Sequence, residues 1–271
     1  MTERPDPSYV APELLVRCHA NTLEDYRVFA RSTEGGALEE SPGRLFASLN
    51  SLDSLENLAF ALEPPDDPRE FLDRATDFYR RHPAPWAVLA FPGAVEALDP
   101  VLSAAGFLDE GTFPGMVLYP IPAERPAPPL ELRIERACTL RELRDLEGAA
   151  SRAYGVPYGE PDPRWLTVPG VALYVGYFQE EPVAHGALIV SQSVAGVAYI
   201  GTVPECRRRG FAEAVVWRIV SEGRAAGCDA AYLWATPLGR TVYERMGFRT
   251  VVDYRIWSAP GFPLPGSIRR P

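Results

Sequence analysis

The chain has 271 residues, 36 acidic against 27 basic side chains, a net charge of −9 and a hydrophobic share of 46%, an ordinary profile for a soluble globular protein. All 27 basic residues are arginine, which excludes a Schiff-base lysine and a P-loop lysine, and the net acidity argues against nucleic acid as the main partner. Proline (28) and glycine (22) stay below the level at which disorder becomes the default, so a sizeable core is expected, in one large domain or two modest ones.

At the N-terminus, Glu3, Arg4, Pro5, Asp6 and Pro7 leave no room for a secretory apolar run, and the longest apolar stretches, 171–178 and 194–203, are far shorter than a membrane span. A cytoplasmic protein with no membrane partner is expected. Cys18, Cys138, Cys206 and Cys228 form no C-x-x-C pair, and His19, His82 and His185 stand at no metal-ligand spacing from them; free thiols and no metal are expected.

Along the chain, alternation and amphipathic spacing predict a strand at 57–62, a helix at 67–81 with Phe71, Leu72, Ala75, Phe78 and Tyr79 on one face, a strand at 86–91, a helix ending at Gly106, and a strand at 115–119. The stretch 121–130, with Pro122, Pro126, Pro128 and Pro129, reads as a stiff linker. Beyond it come a strand at 130–135, a helix at 139–153, a hairpin of 171–178 and 183–191 around the turn 179–182, a strand at 197–203, a helix at 210–226, a strand at 230–235, a helix at 238–246 and a strand at 250–257. The residues after 258, rich in proline and glycine, are expected to be loose. The strand-helix-strand-helix-strand order occurs on both sides of the linker, and Gly106-Phe107 recurs as Gly247-Phe248, 141 residues later. Two related units fit this better than a solenoid. The expected division is 1–120, a linker at 121–130, a second domain at 131–258 and a tail at 259–271.

The chemistry concentrates at 199–214, a strand running into a basic, glycine-containing turn and then a helix. Helix N-termini leave backbone N–H groups unpaired and favour anions, so such a turn can hold a phosphate or pyrophosphate. Gly210 and Ala212 allow close approach, and Arg207, Arg208 and Arg209 add forked donors. A second motif, Tyr243-x-x-x-Gly247-Phe248, follows 36 residues after Arg207, room for one helix, one strand and a short turn.

Together the two motifs resemble the GNAT superfamily of acyl-CoA-dependent N-acetyltransferases, whose pyrophosphate turn, Gln/Arg-x-x-Gly-x-Gly/Ala, is matched by Arg207-x-x-Gly210-x-Ala212. The resemblance covers 130 to about 257, and the first half looks like a degenerate second copy, a tandem arrangement. It implies an α/β protein of the α+β type: two GNAT-like domains, each a mixed, mostly antiparallel sheet flanked by helices. By the 141-residue offset Tyr243 falls on Leu102, and the helix-start turn falls on 63–68, where Glu63, Asp66, Asp67 and several prolines would repel pyrophosphate and remove donors.

The resemblance further implies acetyl-CoA as cofactor, held by Gly201, Thr202 and Val203 along the pantetheine arm and by Arg207, Arg208, Arg209, Gly210, Phe211 and Ala212 at the pyrophosphate. A backbone N–H of 201–203 would be the oxyanion donor and Tyr243 the general acid. The acceptor is expected to be a primary amine of a small molecule or peptide. Tyr199, His185, Glu147 and Glu160 are candidate bases, and the segment holding Tyr154, Tyr158 and Trp165, beside Glu160 and Asp162, is a candidate acceptor wall. Two alternatives stay open: a non-catalytic acyl-CoA sensor, and an acyltransferase for amino-thiol conjugates of the mycothiol-precursor kind.

Overall fold

The computed structural model describes residues 11–264 apart from 125, 127, 128, 130 and 238. Helix α1 (Pro12–Ser32) begins with proline in its first turn, where a missing N–H is harmless, and buries Leu14, Cys18, Tyr26, Phe29 and Ala30 at helical spacing. The hairpin of β1 (Ala37–Ser41) and β2 (Arg44–Ser48) follows. The sequence reading assigns no element to this region, because charged residues interrupt its apolar stripe and the strands are short.

From β3 (Asn57–Ala61) onward the first half takes the expected order: α2 (Pro68–Arg81), β4 (Ala87–Ala90), α3 (Val95–Ala104) and β5 (Leu108–Leu118), the last beginning well before residue 115. The second half comprises β6 (Leu132–Arg136), α4 (Leu140–Tyr154), β7 (Val171–Phe178), β8 (Glu181–Ser191), β9 (Val194–Thr202), α5 (Phe211–Ala225), β10 (Ala230–Trp234), α6 (Arg240–Arg245) and β11 (Arg249–Ser258). A Thr139–Glu142 capping box starts α4 and Gly155, at φ 72°, ends it. The hairpin turn is tighter than expected: Gln179 and Glu180 both have positive φ, as a two-residue primed turn requires, so β8 already contains Glu181 and Pro182. Gln192 and Ser193 make a second such turn into β9.

All the strands join one sheet in the order β1-β2-β3-β4-β11-β5-β10-β9-β8-β7-β6. Each half repeats one pattern, an antiparallel meander, then a parallel step across a helix (β3 to β4, β9 to β10), then another helix and a last strand. The last strands are exchanged. β11 lies beside β4 of the first half, β5 lies beside β10 of the second, and the two pair antiparallel with each other from Arg249↔Val117 to Ser258↔Leu108. The division at 121–130 therefore describes order along the chain, while in space each half takes its final strand from the other.

Helix α1 also crosses between the halves. Asn21 donates from Nδ2 to the carbonyl of Ile189 at 2.9 Å and to Ser191 Oγ at 2.8 Å, and Arg17 forms an ion pair with Asp229. Phe29 joins the apolar cluster of Leu143, Leu146 and Val175 beneath α4. In the expected linker, Ile121 is buried and its N–H donates to the carbonyl of Asp229 at 3.0 Å; much of the proline-rich remainder lies outside the described residues. The segment expected to be loose after Ser258 is packed at its start: Ala259 and Leu264 are buried, and the Ala259 N–H donates to the carbonyl of Trp86. Residues 265–271 lie outside the described residues. Among the described residues no helix is long and apolar enough to cross a membrane.

Candidate active site

The site begins with a defect in β9. The pairing with β8 runs through Ala187↔Ala198 but resumes at His185↔Gly201, so β9 carries one extra residue, and Tyr199 sits in the left-handed region at φ 55°. Such a bulge bends a strand, and a non-glycine residue at positive φ is strained by about 1–3 kcal/mol. On its other edge β9 pairs with β10 only from Val194↔Ala230 to Gly196↔Tyr232. Past Gly196 the two strands separate and leave a wedge. The Val203 N–H is taken by the carbonyl of Val183 at 2.9 Å. Alternation along an antiparallel strand then turns the backbone of Thr202 to the open edge. The carbonyl of Thr202 does face that way, accepting from Arg207 Nε, and its buried Oγ1 has no hydrogen-bond partner. Gly201 packs so closely on the buried His185 that a Cβ would lie 2.1 Å from Nε2, so only glycine fits.

The wedge opens onto the N-terminus of α5, whose cap is Gly210 at φ 79° and which no side chain caps. The arginines of the turn divide their duties. Arg207 donates to the carbonyls of Thr202 and Ala153, tying β9 to α4. Arg209 pairs with Glu131 and lies over the rings of Phe178 and Phe211 at 4.1 and 5.2 Å. Arg208, at φ 63°, is exposed on the cavity wall. Phe211 is core, and Ala212 lines the cavity as expected. Tyr243, on α6, faces the same space; burial pushes its phenol up to about 12, so it stays protonated across the neutral range.

One cavity of about 660 Å³ runs from this end, through the wedge, to a second end of opposite charge. Its arginines, Arg207, Arg208 and Arg245, stand at the turn and on α6, with Glu213 of the first turn of α5 the one carboxylate among them. At the far end are Asp25 from α1, Asp53 and Glu56 from the segment joining β2 to β3, and Glu147 from α4. Tyr199 donates to both oxygens of Glu147 at 3.2 Å, and Tyr158 donates to Asp53 at 3.0 Å. Burial pushes Asp25 up to about 7 and Glu147 up to about 7, the Tyr199 hydroxyl opposing the shift at Glu147. Glu56 is raised well above the usual carboxylate range by burial and then by the charges of Asp53 and Glu147; burial raises Asp53, against the Leu55 N–H and the Tyr158 hydroxyl. Tyr154, Tyr158, Tyr199 and His185 form an aromatic cluster, and Trp165 is held to the first half by a bond from Nε1 to Thr33 Oγ1 and an edge contact with Phe29.

The acetyltransferase (GNAT) family model matches residues 140–248. The second half is a GNAT domain. Solved structures extend the likeness to the whole chain at the level of the fold. A GCN5-related N-acetyltransferase from Kribbella flavida is 18% identical with a TM-score of 0.67, over 91% of this chain and 96% of that one. Another from Sphaerobacter thermophilus is 15% identical with a TM-score of 0.59, over 93% of each chain. A GCN5-related N-acetyltransferase-like protein from Streptococcus suis is 14% identical with a TM-score of 0.52, over 89% of this chain and 99% of that one. No curated protein matches the chain. The first half also takes a GNAT-like fold, as the repeated element order shows.

Within the GNAT domain the sequence motifs bring Gly201, Thr202, Arg207, Arg208, Gly210, Phe211, Ala212 and Tyr243 to one cavity, whereas Val203 and Arg209 do not line it. His185 is fully buried and does not line it; burial lowers its pKa to about 3. Glu160 is on the surface, paired with Arg144, and Asp162 is engaged by Arg164 and the N–H of Glu34. Other carboxylates line the cavity, and of these Asp25, Asp53 and Glu56 were not singled out by sequence. One signal existed: Asn21, Thr22 and Asp25 put polar groups on the face of α1 that also carries Cys18, Tyr26 and Phe29. The paired acids of the 51–56 segment carry no local signature.

Proposed function

We propose that this protein is an acetyl-CoA-dependent N-acetyltransferase that acetylates a primary amine, with the second half as the catalytic domain of the division at 121–130. GNAT membership of the second half supports acyl transfer in general. The observation that carries the finer reading is the wedge between β9 and β10 opening directly onto the uncapped N-terminus of α5, in one cavity with Tyr243.

The residues fit the cofactor. The N–H groups at the start of α5 and the exposed Arg208 suit a pyrophosphate, and the open edge at Thr202 suits an amide-bearing arm that can pair with a strand. Arg207 and Arg209 act on the turn itself, holding its shape through Thr202, Ala153 and Glu131. Acetyl-CoA would supply a thioester, whose acyl carbon an amine can attack. This chain's groups do the rest. The Thr202 backbone N–H, turned to the open edge, donates to the acyl oxygen. Glu147, with a pKa near neutrality and its carboxylate aligned by Tyr199, takes the proton from the incoming ammonium. Tyr243, neutral across the working range, would donate its phenol hydrogen to the leaving sulfur and recover a proton from the nitrogen newly bonded to the acyl carbon.

The acidic, aromatic end of the cavity favours this reading over the sensor, which needs no acceptor site. A cytoplasmic location belongs to this reading, since free thiols such as the exposed Cys138 persist there. Calorimetric titration with acetyl-CoA should show one site per chain, and release of free thiol should depend on an added amine. Absence of acetyl-CoA binding would overturn the proposal.

A further inference from the structure

The two ends of the cavity are oppositely charged, and the acidic end is assembled across the two halves. Asp25, Asp53 and Glu56 come from the first half and Glu147 from the second, while the arginines of the cavity wall, Arg207, Arg208 and Arg245, stand at the other end. Asp53 and Glu147 are each 5% exposed, while Asp25 and Glu56 are half-buried. Carboxylates grouped with so little water are costly to ionise unless a cation joins them. Neighbouring arginines do not supply it: Arg27, on α1, forms ion pairs with Glu24 and Glu40 instead. Among the described residues no three acidic, histidine or cysteine side chains come together as ligands for a metal ion. The wall between the carboxylates is aromatic, with Tyr26, Phe29, Tyr154, Tyr199 and Trp165, a lining that suits organic cations.

One ammonium needs one carboxylate. Glu147, beside the wedge and aligned by Tyr199, suffices for the attacking amine. Of the first-half acids, Asp53 is engaged by the Leu55 N–H and the Tyr158 hydroxyl and Glu56 by Ser51, and none of the three meets a basic side chain among the described residues. We infer that the acceptor is a small organic dication, a diamine-like molecule whose second protonated group is held by Asp25, Asp53 and Glu56 of the first half while the amine to be acetylated lies at Glu147. This rests on the N-acetyltransferase reading and deepens it. The degenerate copy, which reads as having lost cofactor binding, becomes the specificity wall of its partner. Tyr158 couples the two, since it belongs to the GNAT domain and donates to Asp53.

The test uses the full chain with saturating acetyl-CoA and compares butylamine, 1,4-diaminobutane and spermidine by thiol release at constant ionic strength. A charge-assisted contact to the second cation contributes roughly 2 kcal/mol, so kcat/KM for 1,4-diaminobutane should exceed that for butylamine about 30-fold. Asp25→Asn combined with Glu56→Gln should bring that ratio close to one, through KM for the diamine, with KM for acetyl-CoA unchanged. Spermidine binding, read by calorimetry in the presence of coenzyme A, should weaken at least about tenfold in the same variant. Equal turnover of butylamine and the diamine would overturn the inference, and so would a preserved preference in the double variant. If that variant does not fold, the wild-type ratio and the single Asp25→Asn variant decide. Spermidine binding without turnover of any amine would instead overturn the acetyl-transfer reading and leave the dication site standing. Failure of both turnover and spermidine binding would overturn both.

Discussion

Helices α2 and α5 occupy the same place in the two repeats, each following the first strand of a parallel pair, yet their N-termini are opposite in character. At α2 the cap is Asp67, whose carboxylate accepts from the N–H groups of Arg69 and Glu70, and Pro68 removes another donor. The positive end of that helix is already neutralised by its own chain. At α5 the cap is Gly210, with no side chain to compete, and Arg208 beside it. One architecture thus gives a helix end closed by a side chain in the first copy and one left uncapped in the second, through a change of capping chemistry. The later helices diverge likewise: Tyr243 lines the cavity, whereas Leu102 is wholly buried in the core of the first half.

The contrast can be broken from either side. The largest effect is expected at Glu147. Glu147→Gln should lower kcat about a thousandfold at pH 8 and abolish the acidic limb of the pH profile. In the native enzyme that limb rises as pH increases through about 7, because Glu147 must be deprotonated to accept a proton. The groups facing it are Tyr199 on β9, the carboxylates of Glu56 and Asp53 from the first half, and the phenols of Tyr154 and Tyr158. A kcat profile that keeps its limb in the variant would remove Glu147 from the mechanism.

Next in size is Tyr243→Phe, which deletes only the hydroxyl. We expect kcat to fall about a hundredfold with acetyl-CoA affinity within about twofold of the native value, measured by thiol release and calorimetry. Gly210→Asp writes the capping residue of α2 into α5. It should weaken acetyl-CoA about 20-fold, since a carboxylate at a helix N-terminus competes with the anion for up to about 2 kcal/mol. Unaltered affinity would show that the helix end does not hold the pyrophosphate. The smallest effect is the converse: Asp67→Ala should cost about 1 kcal/mol of stability in denaturant titration, with acetyl-CoA affinity unchanged.

How much of this was legible in the sequence varies along the chain. The GNAT turn and the Tyr-x-x-x-Gly-Phe motif are local signals, and they reached Gly201, Thr202, Gly210, Ala212 and Tyr243 because backbone approach and capping are written within a few residues. The bulge at Tyr199 was not legible, since it depends on register against β8. Nor were the separate duties of the arginines: adjacent in sequence, Arg207, Arg208 and Arg209 are distinguished only by Thr202, Ala153, Glu131 and Phe178, which come from elsewhere in the chain. Glu160 was chosen for its neighbours in sequence, and Arg144 across space claims it.

The sequence by itself determined the repeat, the order of elements from β3 onward, the open helix end with its glycine cap and the absence of lysine chemistry, because periodicity, capping and composition act over short distances. Only the tertiary structure decided that the last strands are exchanged, that α1 lies across both halves, and that Asp25, Asp53 and Glu56 meet Glu147 in one cavity. Those outcomes depend on which surfaces pair after the chain closes. The physical reason is that burial and charge proximity raise the carboxylates only once both halves surround the cavity.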